Sequence, residues 1–142
     1  KGEQMKKTIW AGLMIWSTAS LAAPQVLLDA ASAYKKSGAQ SFVSTLLTNS
    51  VTLQLANMSA ADLQRSFESI EATCGRFTGM DVVKEVDVSP QSKMVYFSLN
   101  YGKCALFSNA LFYKSTDGDV LASVAAYTNP YTAWPRFLIE GK

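Results

Sequence analysis

The sequence has no histidine, only two cysteines and little charge, with 17% of its 142 residues Asp, Glu, Lys or Arg. Each shortage closes a class of function. Without histidine there is no Ser-His-Asp triad, no Cys-His pair and no imidazole ligand for a metal. Two cysteines cannot build a four-sulfur zinc site. No phosphate loop, nucleophile elbow or dinucleotide fingerprint occurs, so neither a cofactor nor a metal is expected. Internal repeats, low-complexity runs and interdomain linkers are missing as well. What the chain does have is apolar residues, 49% of the total. That is enough for one packed domain and argues against disorder.

The first segment reads as an address. Lys6-Lys7 follow Met5, and Thr8 to Leu21 carry no charge. Ser20-Leu21-Ala22 places small residues where a signal peptidase reads them. Residues 5–22 are therefore expected to be a secretory signal, removed after Ala22 or Ala23, with an uncleaved anchor as the alternative. The apolar run is too short for a stable membrane span. Residues 1–4 precede the natural-looking start, as a cloning scar or upstream translation would. Lys1, Lys6, Lys7 and Glu3 leave with the signal, and thirteen basic and eleven acidic residues become ten of each. No basic stripe remains, so nucleic-acid binding loses its electrostatic footprint. The expected location is periplasmic or secreted, with one domain over residues 24–142.

Within that domain the apolar period is helical first. Pro24 suits a helix start. Leu27, Ala30, Ala31 and Tyr34 form one stripe, and Gly38 follows Lys35-Lys36 as a helix end prefers. A second helix fits Gln40 to Thr48, with Phe42, Leu46 and Leu47 inward. Residues 49–57 read as a loop or short extended piece. Ser59 with Asp62 resembles a capping box, and Leu63, Phe67, Ile70 and Cys74 share a helical stripe that Gly75 ends. From residue 77 the period is two. The first strand shows Val82, Val86 and Val88 on one face, with Lys84 as the exception. Ser89 to Ser92 make a turn. Residues 93–101 alternate Val95, Phe97, Leu99 and Tyr101 against Met94, Tyr96, Ser98 and Asn100. Gly102-Lys103 suits a Gly-X hairpin turn. A third strand over 104–115 has Phe107, Leu111 and Tyr113 on one side. Asp117-Gly118 signals another hairpin, and 120–128 give a fourth strand. Helices followed by a meander predict an α+β domain, three N-terminal helices packed on a strongly curved four-stranded antiparallel sheet.

This order resembles the nuclear-transport-factor-like, or cystatin-like, superfamily, especially its small secreted bacterial members. The resemblance rests on Cys74 to Gly79, Met94 to Gly102, Leu111 to Ser115, Asp117-Gly118 and Asn129-Pro130. It implies a cone with a cavity and a homodimer paired through the sheets. Relatives often carry a large residue after the Asp-Gly turn, where this chain has Asp119-Val120-Leu121. A pattern of strands and turns speaks to fold more than to function.

Two cysteines in an exported chain default to a disulfide. If the first hairpin folds at Pro90-Gln91, opposed residues sum to about 181 by simple antiparallel pairing, which places Cys104 opposite Phe77 and near Cys74. A redox-active or partner-linking thiol is the alternative, without a Cys-x-x-Cys or flanking positive charge to support it. Inside a cone, a buried Asp beside tyrosine donors is able to move a proton. Asp81 is read as the one plausible inward carboxylate, with Tyr96 and Tyr113 as partners and an exposed strand-end Asp as the plain alternative. Asp117-Gly118-Asp119 lacks the further ligands a calcium loop needs. Asn57-Met58-Ser59 is a glycosylation triplet, but Ser59 serves better as a helix cap. In the tail, Trp134, Phe137, Leu138 and Ile139 either close the cone's open end or anchor a partner. The sequence thus favours an exported binding protein without enzymatic activity. It would use the cavity or sheet face, with Trp134, Phe137 and Tyr101 as contact residues, for a small apolar ligand or an envelope protein. The alternatives are a small isomerase or dehydratase using Asp81, and a structural subunit of an envelope or secretion assembly.

Overall fold

The computed structural model describes residues 23–141, so the expected signal over 5–22 lies outside the described residues. The class is α+β, as the change of period predicts. Helices α1 (Gln25–Ser37), α2 (Ala39–Leu46), α3 (Thr52–Leu55) and α4 (Ala60–Cys74) precede the strands. Strands β1 (Phe77–Ser89), β2 (Ser92–Tyr101), β3 (Ala105–Ser115) and β4 (Gly118–Tyr127) pair in sequence order as an open antiparallel meander. Two short helices follow, α5 (Pro130–Ala133) and α6 (Arg136–Glu140).

The helices form where the pattern places them. α1 buries Leu27, Ala30 and Tyr34, and the Gly38 amide donates to the Tyr34 carbonyl at 2.9 Å. α2 buries Phe42, Val43 and Leu46, while Leu47 is half-buried. In α4, Ser59 Oγ accepts from the Asp62 amide at 3.1 Å and donates to its carboxylate at 2.6 Å. Asp thus fills the place of Glu in the reciprocal cap. The stretch expected to be loop or extended contains the single helical turn α3. It is held to the sheet by hydroxyls rather than by burial: Ser50 Oγ and Thr52 Oγ1 donate to the Leu121 carbonyl at 2.7 and 2.8 Å.

The core lies between helices and sheet. On the helix side stand Val95, Phe97, Leu99 and Tyr101 of β2, Leu106, Ala110 and Phe112 of β3, and Leu121 of β4. Leu27, Phe42 and Leu46 meet them from the helices. These side chains fill the centre of the interface, where the resemblance implies a cavity; the hollows lie at its margins. Phe107, Leu111 and Tyr113 share the opposite, outer side of the sheet.

At one end of the sheet Cys74 and Cys104 form the expected disulfide, with Cα atoms 5.4 Å apart. The register reaches it differently from simple pairing. Opposed residues sum to 181 at Ser89–Ser92 but to 178 at Phe77–Tyr101, because three irregularities on β1 each absorb a residue. Phe77 therefore faces Tyr101, and Cys104 lies beyond the turn. That turn is tied to the end of α4: the Gly102 and Lys103 amides donate to the Arg76 and Cys74 carbonyls at 3.1 and 2.7 Å. Gly102 does not adopt the left-handed conformation of a Gly-X hairpin turn. Its use is close approach, since a Cβ on Gly75 would meet Gly102 Cα at 3.6 Å.

Candidate functional site

One of the β1 irregularities falls between Val82 and Lys84 and decides which carboxylate faces the helices. Val82 opposes Phe97 on the helix side. Val83 is the extra residue. Lys84 then opposes Tyr96 on the outer side, and Glu85 opposes Val95, a core residue with no exposure. Strict alternation would have kept Val82, Lys84 and Val86 together. The bulge removes that conflict by inverting the phase, so Lys84 and Val86 face outward and Glu85 turns in. The broken alternation at Lys84 is the signal in the sequence for this bulge.

Glu85 closes one wall of a hollow of about 490 Å³ between α1 and β1, lined also by Ala23, Leu28, Val82, Val83 and Lys84. Leu28, Val82 and Val83 remain about two-fifths exposed there. The Glu85 side chain is only 4% exposed, and its Oε1 is buried without a hydrogen-bond partner. Lys93 Nζ stands 3.9 Å from that oxygen. This is close enough to offset the charge and too far for a hydrogen bond. Two further hollows adjoin Asp119 at the same end of the sheet. One, of about 370 Å³, is lined by Asp87, Lys93, Phe112 and Lys114. The other, of about 250 Å³, lies against Val26, Asp29 and Asp117.

The residues singled out for acid-base work do not meet. Asp81 is exposed on the outer side, opposite Ser98, and accepts from the Asn100 amide at 2.6 Å rather than from a tyrosine. Tyr96 is half-buried on that face. Tyr113 is exposed there and donates to Gln91 at 3.2 Å. The buried inward carboxylate is Glu85, which strict alternation along β1 does not single out; Asp87 shares its side but is exposed. The buried phenols are Tyr34 and Tyr101, with hydroxyls 3.3 Å apart in the core. Burial holds both above the ordinary tyrosine range, Tyr101 pushed up to about 12. Tyr34 also stacks on Phe77 at 4.2 Å. Tyr101 is therefore a core residue and not a ligand contact, because the period of β2 carries it to the helix side.

The tail crosses the outer face. Asn129 caps α5 through the Tyr131 amide at 3.0 Å. Asn109 Nδ2 donates to the Ala133 carbonyl at 2.8 Å, and Trp134 Nε1 donates to the Ser108 carbonyl at 2.9 Å. The indole meets Phe107 edge-on at 5.1 Å. Trp134 is thus packed on the sheet while Phe137 stays half-exposed, so Trp134, Phe137 and Tyr101 do not share one surface. Among the described residues, no three Cys, Asp or Glu side chains gather as a metal site requires. Nor is any described helix long and apolar enough to cross a membrane. No protein-family model, curated protein or solved structure matches the chain.

Proposed function

We propose that this is an exported binding protein, without catalysis of its own, that takes a small ligand with an apolar body in the α1–β1 hollow. The observation that carries the reading is the convergence of Leu28, Val82 and Val83 on a hollow of about 490 Å³, a volume typical of ligand sites. The disulfide supports an oxidising compartment. The dispersal of Asp81, Tyr96 and Tyr113 supports binding over acid-base chemistry. Native mass spectrometry of the chain exported with its own first segment, and purified without denaturant, tests this. The expected spectrum is a processed, disulfide-bonded chain carrying a small bound mass, lost when Val83→Asp charges the wall. A bare chain, or a bound mass unaffected by Val83→Asp, would overturn it.

A second reading has its own observation. β1 is an edge strand of thirteen residues, with Val82, Val83, Val86 and Val88 exposed. The other edge, β4, already accepts hydroxyl hydrogen bonds from the α3 turn. An extended segment of an envelope protein would then add to the sheet beside β1. Cross-linking from position 86 to a discrete partner, abolished by Lys84→Pro, is what this reading expects.

A further inference from the structure

Resting on the small-ligand reading, we propose that the α1–β1 hollow selects neutral amphiphiles whose head donates a hydrogen bond to Glu85, such as an aliphatic alcohol or primary amide. Glu85 Oε1 is buried and without a hydrogen-bond partner in a side chain only 4% exposed. A buried acceptor left so is costly, and a ligand that supplies the donor recovers that cost on binding. One feature decides the charge of the head. Lys93 Nζ lies 3.9 Å from Oε1, so the Glu85 carboxylate already faces an ammonium group. A second cation meets repulsion there, and an anionic head meets an acceptor with nothing to donate. A neutral O–H or N–H fills the lone pair without disturbing that balance, through a charge-assisted bond. The body of the ligand lies on Leu28, Val82 and Val83, the exposed apolar wall.

Calorimetric titration of the oxidised full chain with four ten-carbon probes tests this. They are decanol, its methyl ether, decylammonium and decanoate. Decanol is expected to bind about tenfold or more tightly than the ether, as a hydrogen bond to a charged group implies. It should also lead both charged probes. Glu85→Met, which keeps the length and removes the acceptor, is expected to bring alcohol and ether together. Equal binding of alcohol and ether to the native chain would overturn the donor rule and leave the apolar-ligand reading standing. A gap that survives in Glu85→Met, or a charged probe binding tightest, would overturn it too. No binding by any probe would remove both this inference and the reading beneath it. The comparison of alcohol with ether uses only the native chain, so it decides the matter even if the variant does not fold.

Discussion

Tyr34 and Tyr101 place two ionisable hydroxyls 3.3 Å apart in the core. Burial raises both folded-state values, Tyr101 to about 12, from the ordinary 10.0. The unfolded chain releases these protons near the ordinary value, and the folded chain holds them longer. Stability is therefore intact below about pH 10 and falls as pH rises through the folded values. Urea midpoints are expected to drop steeply above about pH 10, and Tyr34→Phe should make that drop shallower. A native-chain midpoint that stays flat into this range would contradict it. The same variant should cost about 1 kcal/mol at neutral pH through the lost hydrogen bond. Gly75 is the second residue-scale dependency. Its φ of 85° and ψ of −176° suit glycine almost alone, and Gly102 lies against it. Gly75→Ala should destabilise by about 1–3 kcal/mol in chemical denaturation; an unchanged midpoint would mean the α4–turn junction is loose.

At the scale of elements, the junction between α4 and the β2–β3 turn carries the most constraint. Replacing both Cys74 and Cys104 by Ser opens a 30-residue separation and should cost roughly 3–4 kcal/mol in the chain-entropy view. Comparing oxidised native chain with the double variant by guanidinium unfolding checks this. β1 is the other exposed element. Asp81, Lys84, Glu85 and Asp87 interrupt its valines, a pattern that discourages edge-to-edge pairing. Lys84→Val with Asp87→Val should promote self-association in sedimentation velocity; unchanged sedimentation would mean that the edge is guarded by something else. Much of this was legible in the residues. Ser59 and Asp62 announced the cap of α4, the alternation of β2 gave its buried face, and two cysteines in a chain with an export-like first segment gave the bridge. The β1 face was not legible, because period-two reading assumes an unbroken pleat. An unbroken pleat would put Asp81 and Glu85 on one side; the inserted Val83 leaves Asp81 facing outward and Glu85 inward. The tail's place was also hidden. Trp134 rests on a backbone carbonyl of β3 and on Phe107, contacts 26 and 27 residues away that no local pattern records.

For the whole molecule, helices cover one side of an open sheet and the tail part of the other, leaving an opening with exposed apolar side chains at the α1–β1 margin. The interior is packed, so recognition in this account happens at the margin and not inside a cone. Ligand binding should accordingly leave the core arrangement of Leu99 and Leu106 undisturbed. The most direct test is methyl NMR of the oxidised chain, with labelled leucine, valine and isoleucine, titrated with decanol. The account predicts shifts at Leu28, Val82 and Val83, with Leu99 and Leu106 unmoved. Shifts confined to Leu138 and Ile139 of the tail, or no shifts at all, would contradict it.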